Sequence, residues 1–345
     1  MKVAVVYNAV YDENSPDERD VLIQANAISD ALRDLDHEVA TFACDLDLGE
    51  IEARLRHVRP DVVFNLVESL GSKGALIHLF PALLDAMQVP YTGSSAMAIG
   101  LTSHKLMAKS HMVRGGLPTP PWIGPYPIDW PPIQRTGWPG LQAELRTWIF
   151  KSVWEHASIG LEDANLVEGL SCAELCNALP ERATALGGAC FAETFIDGRE
   201  FNMALLAGKD GPQVLSPAEI IFEGFGDKPR IVGYRAKWVV DTYEYLHTSR
   251  RFDFGPEDRP LLKQLRELAL RCWELFGLGG YARVDFRVDA DGRPSILEIN
   301  ANPCLSPDAG FAAALDCTGI TFPEAVDRIV RHAVRVRQSS EIPYP

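Results

Sequence analysis

The chain has 345 residues, 47% hydrophobic and 23% charged, the balance of an ordinary globular protein with material for about two or three domains. A formal net charge of −14 argues against nucleic acid as the main partner, since the basic stripe it requires does not appear, while a nucleotide needs only a few placed lysines. No apolar run approaches the ~20 residues of a membrane span. The start MKVAVVYN does not read as a signal peptide, and seven scattered cysteines without a CxxC pair fit a reducing cytoplasm.

Residues 3–8 read as a buried first strand. Ser15-Pro16 is a helix entry, and Ile23, Ala27, Ile28, Ala31 and Leu32 recur at helical spacing after it. HEVATF is a second strand, Ile51–Arg59 a helix, residues 62–67 a third strand and Ala75–Met87 another helix. This alternation implies a parallel α/β sheet, and the missing GxGxxG argues against a dinucleotide site there. Ser94–Gly115 reads as one helix carrying Lys105 and Lys109, followed by a connector rich in proline, glycine and tryptophan up to Leu141.

RTWIFKS (146–152) is a strand ending near Lys151, and SVWEHASIG after it is a small-residue loop with Ser158 and Gly160. Residues 171–186 form a helix and 190–196 a strand containing Glu193. Asp197-Gly198 turns into REFNMALLAG with Glu200, and LSPAEIIFEG and YRAKWV, the latter with Lys237, look like further strands. Pro260–Phe276 is an amphipathic helix, and Pro307–Leu315 and Thr321–Val336 are helices closing the chain. Hairpins make the second half antiparallel.

The most informative stretch is YARVDFRVDADGRPSILEINANP, residues 281–303. Asp291-Gly292 suits a hairpin turn. Period-two alternation puts Tyr281, Arg283, Asp285 and Arg287 on one face and Ala282, Val284, Phe286 and Val288 on the other. Glu298 and Asn300 likewise share a face, with Leu297 and Ile299 opposite. If the polar faces coincide, Arg283, Asp285, Glu298 and Asn300 converge, and the two carboxylates and amide make an all-oxygen set suited to Mg²⁺. The same pattern also describes a solvated hairpin face. Lys151, Lys237, Glu193 and Glu200, taken singly, read more readily as solvated surface charges.

Taken in order, VPYTGSSAMAIGLTSHKLMAK, FKSVWEHASIG, AETFIDGREFNM, YRAKW and the hairpin resemble the ATP-grasp superfamily, and within it the D-alanine–D-alanine ligase branch, over nearly the whole chain. The resemblance implies a mixed α/β and α+β architecture. An N-terminal parallel α/β (pre-ATP-grasp) domain would span residues 1–100, a small central lid domain 101–190, and an antiparallel catalytic domain 191–345. It implies ATP with two Mg²⁺ or Mn²⁺ ions, small-molecule carboxylate and amine substrates, and a homodimer. Lys105, Lys151 and Ser158 would meet phosphates, Glu193, Thr194, Phe195 and Ile196 would form the hinge beside adenine, and Glu200 would hold ribose. Asp285, Glu298 and Asn300 would bind the metals. Lys237 would approach the transferred phosphate, Arg283 the reacting carbonyl, and Glu18 the first substrate's ammonium. Residues 154–160 and 237–251 would be the mobile covers.

The chain departs from the family pattern where amino-acid substrates would bind. The loop usually written EGSSxG is Glu155-His156-Ala157-Ser158-Ile159-Gly160, so Ala157 replaces a serine. Trp238 replaces a tyrosine, Glu68 stands in place of a histidine, and Ala309 and Gly310 replace a small-polar and leucine pair. The expectation is an ADP-forming carboxylate–amine ligase with altered substrates, with Glu68, Glu18 and Asp17 favouring a cationic or amine-bearing one. The alternatives are a true D-alanine–D-alanine ligase, an inactive nucleotide-binding protein on this fold, or a kinase that stops at a phosphorylated product.

Overall fold

The computed structural model describes residues 1–12, 15–126, 146–154, 158 and 160–340. The connector as far as Leu141, and Glu155, His156, Ala157 and Ile159 of the loop, lie mostly or wholly outside them, as does the side chain of Asp17.

The N-terminal unit runs β1 (Lys2–Asn8), α1 (Pro16–Asp34), β2 (Glu38–Cys44), α2 (Leu48–Val58), β3 (Val62–Leu66) and α3 (Leu79–Met87). The strands form a parallel sheet ordered β2-β1-β3. Val3, Ala4, Val5 and Val6 are fully buried, so both faces of β1 are covered and its apolar run is unbroken.

Next come α4 (Ala96–Ser103) and α5 (Lys105–Arg114). The single helix expected here breaks at His104, whose Nδ1 accepts from Met107 N at 3.1 Å and caps α5. Burial lowers this imidazole to about 4 and keeps it neutral, as an accepting cap requires.

A four-stranded antiparallel sheet, ordered β4-β7-β5-β6, contains β4 (Trp122–Tyr126), β5 (Thr147–Ser152), β6 (Leu166–Glu168) and β7 (Cys190–Thr194). Helix α6 (Cys172–Ala183) covers one face, packing Leu175 and Leu179 on Trp148, Phe150 and Ala192.

The large sheet contains β8 (Arg199–Ala207), β9 (Pro212–Val214) and β10 (Ala218–Phe222). After the short helices α7 (Tyr234–Trp238) and α8 (Tyr243–Leu246) come β11 (Thr248–Arg251), α9 (Arg259–Phe276), β12 (Tyr281–Val288) and β13 (Pro294–Asn300). Its order is β11-β10-β8-β12-β13, with β9 on β8, and every pairing is antiparallel. Helices α10 (Gly310–Thr318) and α11 (Phe322–Ser340) close the described chain.

Alternation gives the two faces of β8 and β12 different fates. Phe201, Met203 and Leu205 pack with Ala282, Val284 and Phe286 against α9. On the other face Ala204, Leu206 and Tyr281 lie under α10 and α11, and where that cover ends Glu200, Asn202, Arg283 and Asp285 open into a cleft.

The structure corrects two readings. YRAKW is helix α7, not a strand. Leu297 also does not oppose Glu298: β13 has a bulge opposite Asp285/Phe286, so Glu298 pairs Asp285 while Ile296 pairs Phe286. The extra residue turns Leu297 to the cleft beside Glu298 and leaves Ile296 and Ile299 in the core.

Candidate active site

The cleft, of about 620 Å³, lies between the large and small sheets and opens toward the N-terminal unit. Apart from Asp17 and Ala157, which lie outside the described side chains, the candidate site residues named from the sequence line it except Lys105, whose ammonium lies 3.9 Å from Glu298 Oε1.

Strand register builds the centre. Arg283 stands directly opposite Asn300 and Asp285 opposite Glu298, while Asp285 faces Asn202 across β8. The polar faces of the hairpin therefore coincide. Arg283 donates Nε and Nη2 to the two Asp285 oxygens at 2.7 and 2.8 Å, and Asn202 Nδ2 donates to Asp285 Oδ1 at 2.8 Å. Asn300 Oδ1 accepts from Asn302 N at 2.9 Å. These donors hold the oxygens in place before any ligand arrives.

On the small sheet, Glu193 is 1% exposed and sits between two lysines. Lys109 Nζ lies 2.8 Å from Oε2, and Lys151 Nζ donates to Oε1 at 2.5 Å. Burial pushes the Glu193 carboxyl up, but the two lysines outweigh it and hold it below its ordinary value. Lys109, also 1% exposed, donates further to Thr119 Oγ1 at 2.7 Å and Pro120 O at 3.1 Å. Glu200 pairs with Arg287 at 2.8 Å, and that guanidinium stacks over Phe195 at 5.4 Å.

The segment around Ser158 and Leu161 touches the one that leads into α7. Ser158, at φ 63°, donates Oγ to Val232 O at 2.7 Å, and Tyr234 N donates to Leu161 O at 3.1 Å. A Cβ on Gly233 would stand 2.7 Å from Leu161 O, so only glycine permits this approach. Helix α7 thereby presents Lys237 and Trp238, with Nζ 4.9 Å from the indole. Lys237 is exposed within the cleft, yet the surrounding walls and Arg283 push its ammonium below the ordinary lysine value, against the pull of Glu68.

Three acids approach from the N-terminal unit. Glu18 Oε2 accepts from Tyr11 N at 2.6 Å and Asp12 N at 3.0 Å. Asp20 accepts from Cys304 Sγ at 2.9 Å and Ser306 Oγ at 2.7 Å. Glu68 lies at the carboxyl end of β3, where parallel sheets place ligands. Burial raises its carboxyl to about 7, opposed by Lys237 and by a 3.4 Å hydrogen bond from Gln24.

Sequence reasoning missed Lys109, Asn202, Arg250, Asp20 and Cys304 as parts of the cleft or its support. Lys109, four residues after Lys105, and Asn202, two after Glu200, carried a spacing signal. Arg250 carried none, because β11 fell inside an expected loop.

The sequence profile described as "D-ala D-ala ligase C-terminus" matches residues 112–331. The chain is 32% identical to a D-alanine–D-alanine ligase of Methylococcus capsulatus over 93% of this chain and 94% of that one. The chain belongs to the D-alanine–D-alanine ligase family. A Moorella thermoacetica D-alanine–D-alanine ligase is 30% identical over 96% and 98% of the two chains. The fold matches that of a Bacillus anthracis D-alanine–D-alanine ligase complexed with ATP, with TM-score 0.73 and 19% identity over 99% of both chains. As a member of this ligase family, the chain is an ATP-dependent, ADP-forming carboxylate–amine ligase that makes an amide bond. The mixed architecture expected from the sequence holds. Among the described residues no helix is long and apolar enough to cross a membrane.

Proposed function

We propose that this ligase joins substrates other than two D-alanines, using a family nucleotide site with an altered amino-acid site. The observation that carries this reading is the cleft's division: Arg283, Asp285, Glu298 and Asn300 converge at one place, while Glu68, Trp238, Ala309 and Gly310 line the same cleft with changed chemistry.

A carboxylate is a poor electrophile, and transfer of the γ-phosphoryl group of ATP makes it an acyl phosphate that an amine attacks. The requirement is positioning and charge neutralisation. In this reading Thr194–Ile196 flank adenine beside the clamped Glu193, Glu200 holds ribose, and Lys105, Lys151 and Ser158 face phosphates. Lys237 neutralises the transferred phosphoryl group. Arg283, fixed by Asp285, stabilises the oxyanion as the amine adds and phosphate leaves.

Asp285, Glu298 and Asn300 fit Mg²⁺ or Mn²⁺, because they offer hard oxygens only and too few to complete a shell. A divalent ion there supplies charge neutralisation of phosphate oxygens. The small sheet and its loop, within residues 101–190, act as the lid that excludes water.

Glu18 holds the first substrate's ammonium, and Glu68, an acid in place of a histidine, favours a cationic or amine-bearing substrate. Trp238 adds a flat apolar wall where a hydroxyl is lost, and such losses redirect specificity. The working unit is a homodimer, which sedimentation tests directly.

The names of the relatives favour a second reading, a true D-alanine–D-alanine ligase. The test is ADP and phosphate release with Mg²⁺-ATP against a panel of D- and L-amino acids and small amines, with products weighed by mass spectrometry. An amide from a pair other than two D-alanines supports the proposal. D-alanyl-D-alanine as the dominant product overturns the altered-substrate reading. A stable phosphorylated product indicates a kinase, and tight ATP binding without turnover a binding protein.

A further inference from the structure

Most arginines around the cleft are already committed to acids. Arg283 pairs with Asp285, Arg287 with Glu200, and Arg251 with Glu219. Arg250 differs. On β11 the pairing Arg251↔Glu219 and Arg250↔Ile220 puts the two arginines on opposite faces, and Arg250 takes the cleft side. Among the described residues it makes no ion pair, and its hydrogen bond to Asp308 O is 3.5 Å long. The Asp308 carboxylate attracts it without closing an ion pair, while Arg283 is close enough to repel it. Two guanidinium groups in one cleft, one of them without a carboxylate, favour an anion beside the second.

The floor beneath Arg250 is made for contact. A Cβ on Gly310 would lie 3.1 Å from Arg250 Nε, so glycine lets the guanidinium rest on the start of α10. Ala309, the residue before it, offers no side-chain oxygen. We infer that Arg250 is the specificity-determining residue for the attacking substrate, and that it pairs with a carboxylate carried by that amine. The inference rests on the ligase reading above.

A planar fork matches a carboxylate with two parallel hydrogen bonds. Arg250, on the large sheet, borders Asp308–Gly310, whereas Lys151 and Glu193, assigned to nucleotide, stand on the small sheet; Glu200 is the nucleotide residue in Arg250's own sheet row, with Ile220 between them. Amino acids and other acid-bearing amines are therefore accepted, and amines without an acid are rejected.

The experiment is steady-state kinetics with Mg²⁺-ATP and a donor that supports turnover, comparing amino-acid acceptors with their carboxamides. The proteins are wild type, Arg250→Met and Arg250→Lys. Wild type is expected to prefer the free acid by roughly ten- to hundredfold in kcat/KM, the range of a hydrogen bond to a charged group. Arg250→Met loses that preference through acceptor KM while ATP KM stays within about twofold. Arg250→Lys keeps part of it, and serves if the methionine variant does not fold. A raised ATP KM with the acceptor preference intact assigns the guanidinium to phosphate and overturns the inference. An unchanged preference with both KM values unchanged overturns it too, and leaves the ligase reading standing. Wild type that joins no pair sinks both.

Discussion

Removing the Lys109 ammonium tests whether the clamp on Glu193 organises the nucleotide side of the cleft. Lys109→Met keeps an unbranched apolar stem and deletes the charge. Breaking a fully buried pair costs about 3–5 kcal/mol, mostly from the charge left behind. Here the charge is not left alone, because Lys151 stays 2.5 Å from Glu193 Oε1. Thr119 loses a donor but still donates to Ile296 O at 2.9 Å. Burial also pushes Lys109 below the ordinary lysine value more strongly than Glu193 raises it, so its deletion relieves a desolvation cost. The expected loss is thus nearer 2 kcal/mol, a shift of roughly 3 °C if the chain unfolds as one unit. Thermal melts followed by tryptophan fluorescence measure it, with Glu193→Gln and the double variant completing a cycle. In the Glu193→Gln background Lys109→Met should cost less than about 1 kcal/mol. ATP KM should rise severalfold in the single variant, since Thr194–Ile196 follow Glu193 directly. Equal melting costs in both backgrounds would refute the clamp.

Other substitutions probe separate parts of the cleft. Glu68, raised to about 7 from an ordinary 4.5, binds a proton in the folded chain that the unfolded chain lacks between those values. Its contribution to stability is therefore full below about 4.5 and lost as pH rises through about 7, and urea titrations of Glu68→Gln should show that slope flattened. If Glu68 binds a cationic group, kcat/KM should rise through pH ~7 in wild type and not in Glu68→Gln. A Cβ on Gly198 would stand 2.0 Å from Val288 O, so Gly198→Ala should part β8 from β12 and cost about 2–3 kcal/mol in a denaturant melt. A melt unchanged by that substitution would show that the turn yields.

Strand alternation alone made the hairpin face of this site legible in the sequence, while the nucleotide and amino-acid positions were reached through the family resemblance. Arg283, Asp285, Glu298 and Asn300 could be put on one face because Asp291-Gly292 sets the hairpin and period two does the rest. The bulge that turns Leu297 toward the cleft has no local signature, since it inserts a residue without changing composition. YRAKW alternates well enough to pass for a strand, yet docking of residues 233–234 on Leu161 makes it helix α7. That contact joins segments more than seventy residues apart, beyond any window of local pattern. Lys109 reads as a surface lysine on a helix because its partners Glu193 and Thr119 lie on other elements. Arg250 was hidden because β11 fell inside an expected loop, and only the fold shows that among the described residues no ion pair holds it.

In the proposed reaction everything turns on the oxygens of Asp285, Glu298 and Asn300 holding divalent ions at the phosphates. Its most direct test is ADP release by Glu298→Gln across a Mg²⁺ titration, beside ATP binding without metal. The expected result is a fall in kcat of at least about 10³-fold, incompletely restored by high Mg²⁺, with metal-free ATP affinity near that of wild type. Turnover within tenfold of wild type at the same Mg²⁺ concentration would contradict it.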